Sequence, residues 1–483
     1  MSNCKFFVLL LLVAFLACDD YDSFTTDRSA TLQFSQDTVR FDTLLSTVPS
    51  ATKTLVVYNH GDKGLRIRSI GLERGAASPF RVNVDGQDLS RTERNLAADF
   101  EVRRRDSIIV RIEVTLPVNA SDSVFELTDR LLFSLESGIE QSAALVASSQ
   151  NAEFHRGWVI TADTTLTASH PIVVYDSLVV AAGACLTLPA GTQLMFHEGA
   201  GMIVHGRLEA TGTLDAPVVL RGDRTDHIFD YLPYDRLPAR WEGVRLAPES
   251  AGNTLEYVDV HGGNYGILAD SALADTLKLK LTNSRLHMLG GDGLRITAAR
   301  VEVENTEISN TLGHCVMLKG GASTFTHCTL AQFYPLDAAR GDALRLTNRG
   351  EDDTYYPLHA ATFVNCVITG YAEDVLMGSW FENQDYVANY RFQNCFIATE
   401  VTDDPATFIN IVYDDPESET ASWRNFKLLD THAFVYDFTP DSLSAIRGIA
   451  DISASTSLPL DRLGRDRLKD AKPDAGCYQF VPQ

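Results

Sequence analysis

The sequence predicts an all-β chain in two parts, a region of short alternating strands followed by a long solenoid of parallel strands. Two observations predict the solenoid. One phrase recurs, as L-T-N-S-R-L from Leu281, V-E-N-T-E-I from Val303, F-T-H-C-T-L from Phe325, F-V-N-C-V-I from Phe363 and F-Q-N-C-F-I from Phe392, with starts 22, 22, 38 and 29 residues apart. A second phrase, small residue then apolar, variable, apolar, precedes copies of the first at Gly293, Cys315, Ala343 and Asp374. A base step of about 22 residues with occasional insertions describes coils that stack because none can bury its apolar face alone. A third observation predicts the first part: between residues 30 and 150, seven alternating runs such as K-T-L-V-V-Y-N and S-I-I-V-R-I-E-V are separated by turn residues, which suggests an immunoglobulin-like β-sandwich.

The repeated phrase has a physical grammar. A strand of period two cannot place Phe363, Cys366 and Ile368 on one face, because the first two lie three apart. The phase must break between them, at Asn365, and Asn tolerates a left-handed backbone better than other residues apart from Gly. Asn283, Asn305, Asn365 and Asn394 are therefore expected at stacked corners, with amides able to hydrogen-bond up the stack. His327 takes the corner in one coil, as a substitute and not a ligand. No His, Cys or acid shows the spacing of a metal site, so no metal and no cofactor are expected. In the second phrase Leu294, Val316, Leu344 and Val375 are expected to point inward, and Arg295, Met317 and Arg345 outward.

The chain has 483 residues and a formal net charge of −23. Such a field repels nucleic acid and anionic lipid surfaces and disfavours a polyuronate substrate unless cations screen it. Residues 1–17 carry Lys5, an apolar run from Phe6 and Ala17 before Cys18, a segment too short to span a membrane comfortably. It resembles a bacterial lipoprotein signal peptide, in which Cys18 becomes the acylated N-terminus. Asp19, Asp20 and Asp22 behind it are similar to the export tag of surface lipoproteins of the Bacteroidetes group. The resemblance implies an outer-membrane, surface-exposed protein that meets the membrane through its lipid alone. Removing residues 1–17 takes one of the 41 basic residues and none of the 64 acidic ones, moving the net charge to −24. Of the six cysteines after Cys18, Cys328, Cys366 and Cys395 share one position of the phrase and are expected as a column of free buried thiols.

Residues 18–29 read as a tether, 30–150 as the sandwich, 151–165 as a linker, 166–455 as the solenoid and 456–483 as a closing segment. The runs F-D-T-L, V-V-Y-N and F-R-V-N-V-D-G between Val39 and Asp85 resemble the sandwich preceding β-helices in Bacteroidetes lipoproteins. The regular coils resemble the right-handed parallel β-helix of the pectate-lyase-like class. The run D-R-L-G-R-D-R-L-K-D-A-K-P-D-A-G-C-Y-Q-F from Asp461 is similar to the closing motif of secreted bacterial β-helix proteins, except for Cys477 and Gln479.

Insertions fall between the second phrase and the next copy of the first, at residues 269–279, 347–361 and 378–391. In-register coils should bring them out along one edge. Tyr355, Tyr356, Trp380, Phe381 and Tyr386, with Asp352, Asp353 and Asp385, are the candidate glycan-binding residues there, since aromatic faces with hydrogen-bonding acids suit sugar rings. A lyase on this fold would need a base and a charge neutraliser, and lysine is scarce, with Lys278, Lys280 and Lys319 in the regular coils. A hydrolase would need two acids at a defined separation, for which Asp352 and Asp385 are one pair among many. The sequence therefore favours a non-catalytic binder of carbohydrate or host surfaces. A polysaccharide lyase or glycoside hydrolase is the first alternative, and a purely architectural envelope protein the second.

Overall fold

The computed structural model describes residues 23–482 except 93, 120–123, 167–168, 230, 274, 382–384, 416–423 and 470–471. The signal peptide and Cys18 lie outside the described residues. The chain forms two compact units, up to Asn151 and from Ala152.

The first unit holds two five-stranded sheets. One is ordered Gln33–Phe34, Lys53–Asn59, Asp106–Val114, Phe80–Val84, Gln87–Asp88; the other Thr38–Leu45, Glu140–Gln150, Phe125–Leu135, Leu65–Leu72, Leu96–Val102. Alternation works as read: within Asp106–Val114, Ile108, Val110, Ile112 and Val114 are buried while Ile109 and Arg111 are exposed. Both sheets contribute to one apolar core that includes Val39, Val57, Ile67, Val110, Phe133 and Leu145. The strand Leu96–Val102 was not among the seven expected runs, since only Ala97, Phe100 and Val102 of it face inward.

The body of the second unit is parallel strands in three stacks, the arrangement of a β-helix or solenoid, with two small antiparallel pairs beside them. Sheet A has 10 strands, among them Leu277–Thr282, Arg300–Glu304, Gly321–Thr326, Leu358–Val364 and Ala388–Gln393. An 18-stranded sheet divides into two further stacks. Sheet B runs through Val258–His261, Arg285–Leu289, Glu307–Thr311, Thr329–Gln332 and Val367–Gly370; sheet C through Ile267–Ala269, Leu294–Thr297, Val316–Lys319, Leu344–Thr347 and Leu376–Ser379. Each coil crosses A, B and C in that order. Residues 151–165, expected as a linker, instead carry Glu153–Ile160, which pairs in parallel with Ile172–Val180, and Thr164–Thr165, which pairs with Cys185–Pro189. Their alternation is too polar to read as strand by itself; pairing to the next coil supplies what the side chains lack.

The turn from A to B is a column of left-handed residues: Tyr257, Asn283, Asn305, His327, Asn365, Asn394 and Asn410 have φ between 47° and 57°. Directly inside it, Phe325, Phe363, Phe392 and Phe408 stack with centroids 4.8, 5.0 and 5.1 Å apart, beside the buried column of Cys328, Cys366 and Cys395. All six described cysteines are free and buried. In sheet C one residue is out of the expected register. Leu344 pairs with Leu376 and Arg345 with Met377, so Val375 takes the place of the small residue and Leu376 the inward one. Asp374 just before this strand accepts from the backbone N–H of Leu376 at 3.1 Å.

The C-terminal segment corrects a further expectation. It does not close the end of the solenoid but runs back along its side as a strap. A hairpin of Phe426–Asp430 and Val435–Pro440, then the short helix Ile452–Ser457, cover the outer face of sheet B, where Ala331, Phe333, Val367 and Phe396 meet Phe426, Phe438, Ile446 and Cys477. The corner amides bond to this strap, not chiefly to one another. Asn305 donates to the Leu460 carbonyl at 2.9 Å, Asn365 to that of Asp451 at 3.1 Å and Asn394 to that of Ile449 at 3.0 Å. Buried Arg467 donates to Asn305 Oδ1 at 2.9 Å and to the Gly476 carbonyl at 3.1 Å. Among the described residues no helix is long and apolar enough to cross a membrane.

Candidate functional site

The three insertions do leave the solenoid at one turn, from sheet C to sheet A. Their aromatics, however, mostly fold onto one another. Tyr386 lies 4.7 Å from both Tyr355 and Phe381, and the Tyr355 hydroxyl accepts from the Val387 N–H at 2.6 Å. Arg349 reaches over Phe381 at 5.1 Å and pairs with Asp353 at 2.6 Å. Tyr356 lies under Lys319, 5.7 Å away. Asp352 caps its own turn by accepting from the Thr354 N–H at 3.2 Å, an arrangement that occupies one member of the acid pair considered for hydrolysis. Asp385 is exposed.

Trp380 behaves differently. It stacks on Tyr390 with centroids 5.3 Å apart and planes 3° from parallel, and both rings pack against the solenoid core. The pair lines a recess of about 370 Å³ whose rim carries Asp374, Thr399, Glu400 and Thr402. Tyr390, Asp374 and Glu400 were missing from the candidate glycan-binding set; Tyr390 lies within the sheet A strand Ala388–Gln393, and the other two lie in the turns bordering sheet B.

A second site was not visible in the sequence. On sheet B, Val260, Leu286 and Ile308 point inward, so alternation sends Asp259 and His261, Arg285 and His287, and Glu307 and Ser309 outward. Register stacks Asp259, Arg285 and Glu307 in one row and His261, His287 and Ser309 in the next, about 4.8 Å from coil to coil. His261 Nδ1 lies 2.6 Å and His287 Nε2 3.0 Å from Asp259 Oδ1. His261 Nε2 lies 2.8 Å from Asp235 Oδ1, which pairs with Arg221 at 2.8 Å. Arg285 stands 3.6 Å from Asp259 and 3.5 Å from Glu307, and Glu307 accepts from the Tyr478 hydroxyl. These residues wall a cavity of about 320 Å³ roofed by Phe434, Val435 and Tyr436 of the hairpin.

Burial and charge oppose each other here. Burial penalises the imidazolium of His261, but Asp259 and Asp235 on either side outweigh it and push its pKa up to about 9. His287 goes the other way, lowered by burial and then by Arg285. Asp259 is held well below the usual carboxylate range against burial by His287 and His261, and Glu307 is held down against burial chiefly by Arg285. Three polar atoms on the wall have no hydrogen-bond partner: Arg285 Nε, Asn310 Oδ1 and the Tyr436 hydroxyl. Among the described residues, Asp259, His261 and His287 form the one group of three whose donor atoms, all within 4.8 Å of one another, could hold a metal ion. The signal that could have found them is the pair D-x-H at Asp259 and R-x-H at Arg285, which occupy equivalent positions one coil apart. The stacked parallel strands define the class, an all-β chain whose second unit is a β-helix or solenoid.

No known protein family matches the chain by its sequence profile, and no curated protein matches it. Among solved structures it is similar to the Escherichia coli chaperone DraB at 15% identity, over 25% of this chain and 55% of that one, with a TM-score of 0.17. It is similar to the CooA pilin subunit from enterotoxigenic Escherichia coli at 10% identity, over 25% of this chain and 98% of that one, with a TM-score of 0.18. It is also similar to the catalytic unit of a thermostable GH87 α-1,3-glucanase from Streptomyces thermodiastaticus strain HF3-3 at 11% identity, over 75% of this chain and 74% of that one, with a TM-score of 0.24. Likenesses at these scores carry no argument about function, which rests on the chain's own geometry.

Proposed function

We propose that the protein is a surface lipoprotein of the Bacteroidetes type, anchored through Cys18 to the outer membrane, whose solenoid binds carbohydrate without transforming it. In this reading the N-terminal unit is an immunoglobulin-like sandwich acting as a spacer, and the solenoid is a right-handed parallel β-helix of the pectate-lyase-like class. The observation that carries the binding function is the stack of Trp380 on Tyr390 in a recess rimmed by Asp374, Glu400 and two threonines. An aromatic face takes the C–H side of a sugar ring, and carboxylates accept from its hydroxyls. The net charge of −23 favours a neutral glycan over an acidic one.

A glycan array probed with the chain from residue 19 onward tests this reading. Binding to neutral glycans that Trp380→Ala removes supports it; binding unaffected by Trp380→Ala and Tyr390→Ala rejects the recess. New reducing ends or unsaturated products from a polysaccharide panel, with or without Ca²⁺, would replace it with the catalytic alternative. For the anchor, Cys18→Ser in cells should move the protein from the membrane fraction to the soluble one.

A further inference from the structure

Two imidazoles and a carboxylate converge on the outer face of sheet B from two adjacent coils. Asp259 Oδ1 lies within 3.0 Å of a nitrogen from each of His261 and His287, and the three donor atoms fall within 4.8 Å of one another. Donors around a tetrahedral ion with bonds of about 2.1 Å stand about 3.4 Å apart. Small side-chain rotations therefore convert the hydrogen-bonded trio into a ligand set, with the ion in place of the contact between His261 and Asp259.

The surroundings match what such a set needs. His261 has its other nitrogen 2.8 Å from Asp235, itself held by Arg221 at 2.8 Å. A carboxylate on the far nitrogen of a metal-binding histidine fixes the ring's orientation and tautomer. The second oxygen of Asp259 faces Arg285 at 3.6 Å. The backbone beneath is regular sheet, so the donors sit on a rigid wall. Beyond the trio lies the cavity of about 320 Å³, where Asn310 Oδ1, buried to 1% exposure, and the Tyr436 hydroxyl lack a hydrogen-bond partner.

We propose that Asp259, His261 and His287 bind one divalent transition-metal ion, of the zinc or iron(II) class, with its remaining positions open to the cavity beneath the C-terminal hairpin. Imidazole nitrogen selects such ions over calcium and magnesium, which prefer oxygen alone. Three protein ligands with an open side describe a site that takes a further ligand. The unpartnered Asn310 amide oxygen and Tyr436 hydroxyl call for an oxygen-rich small molecule there, able both to donate and to accept. The site shares no residue with the Trp380 recess, and the two proposals stand or fall separately.

The chain from residue 19 onward, stripped with a chelator, is titrated with Co²⁺ and then Zn²⁺. The expected result is one ion per chain, visible Co²⁺ absorption without the near-ultraviolet charge-transfer band of a thiolate, and a Zn²⁺-dependent rise in melting temperature. The missing thiolate band separates this site from the six buried cysteines. His261→Gln and His287→Ala should each abolish stoichiometric uptake, and Asp235→Asn should weaken it about 10- to 100-fold. Melting temperatures in metal-free buffer check folding; should His261→Gln unfold the chain, His287→Ala decides alone. Absence of stoichiometric uptake by the stripped wild type, or retained uptake in a folded His287→Ala variant, overturns the proposal.

Discussion

Asn365 and Asp451 clasp each other across 86 residues: the Asp451 N–H donates to Asn365 Oδ1 at 2.7 Å, and the Asn365 amide donates back to the Asp451 carbonyl at 3.1 Å. One side chain thus does two jobs. It lets the backbone turn at φ 57° between sheets A and B, and it ties the turn to the strap. Asn365→Gly keeps the turn and loses the clasp; Asn365→Ala loses both. Denaturant titration should show losses of about 1–3 kcal/mol for Gly from unpaired buried groups, with Ala worse by a further 1 kcal/mol or so of backbone strain. Equal losses would show that the turn needs no special residue.

Arg467 is the second fastener. It is fully buried, 162 residues from the corner amide of Asn305 that it meets. Asp461 fixes the loop before it, accepting from the N–H groups of Leu463, Arg465 and Gln479 at 2.7–2.8 Å. Arg467→Met should leave Asn305 Oδ1 unpaired and the Gly476 carbonyl with His327 Nδ1 at 3.3 Å as its remaining partner, and cost about 2–4 kcal/mol. The loss should be local, with limited proteolysis cutting first within residues 424–482 while the coils stay protected. Uniform proteolysis of the solenoid would contradict a separable strap.

Removing a ring from the Trp380 and Tyr390 stack should act on binding more than on folding. Both rings are only partly buried, and an aromatic pair contributes about 0.5–1.5 kcal/mol beyond the area it buries. Trp380→Ala should lower neutral-glycan affinity by about tenfold or more, with the urea midpoint little changed. Calorimetry and an unfolding curve on the same sample separate the two effects.

Lys278 makes a pH prediction. Its ammonium is buried, donating to the carbonyls of Ala247 and Pro248, and burial pushes its pKa down to about 8 against 10.5 in the ordinary state. Below pH 8 both folded and unfolded chains hold the proton and the burial cost is full. Between 8 and 10.5 the unfolded chain holds a proton that the folded chain lacks, so this residue makes stability rise with pH. The buried thiols oppose it: burial raises Cys315 and Cys477 to about 12, so their contribution falls above the unfolded thiol pKa. The stability difference between wild type and Lys278→Met isolates the lysine, and should shift in favour of wild type by about 3 kcal/mol from pH 7.5 to 10.5. A flat difference would mean that the two carbonyls hold the ammonium charged throughout.

How far the chain could be read in advance depended on how local the cause was. The corner at Asn283, Asn305, Asn365 and Asn394 was legible because a left-handed φ is a property of one residue and its neighbours. His327 fitted the same place, and its buried ring, held neutral by desolvation and then by Arg467, bonds to Ser455 and Asn365. Val375 lies one step from its expected place because the strand pairs Leu376, not Val375, with Leu344, and that pairing depends on the neighbouring coil and not on the phrase alone. The charged group on sheet B was invisible because its members are ordinary outward residues until three coils are laid in register.

The amino-acid sequence by itself determined the all-β class, the coil length, the inward residues of the phrases other than the copy at Val375, and the turn at which insertions leave, all of which follow from periodicity and single-residue backbone preference. Only the tertiary structure decided which outward side chains meet and where the last 60 or so residues lie. Contacts such as that of Arg467 with Asn305, or of Tyr478 with Glu307, join positions 162 and 171 apart. No local preference encodes such a pairing; it exists because the strap buries apolar surface on sheet B, and the polar partners are then brought within reach.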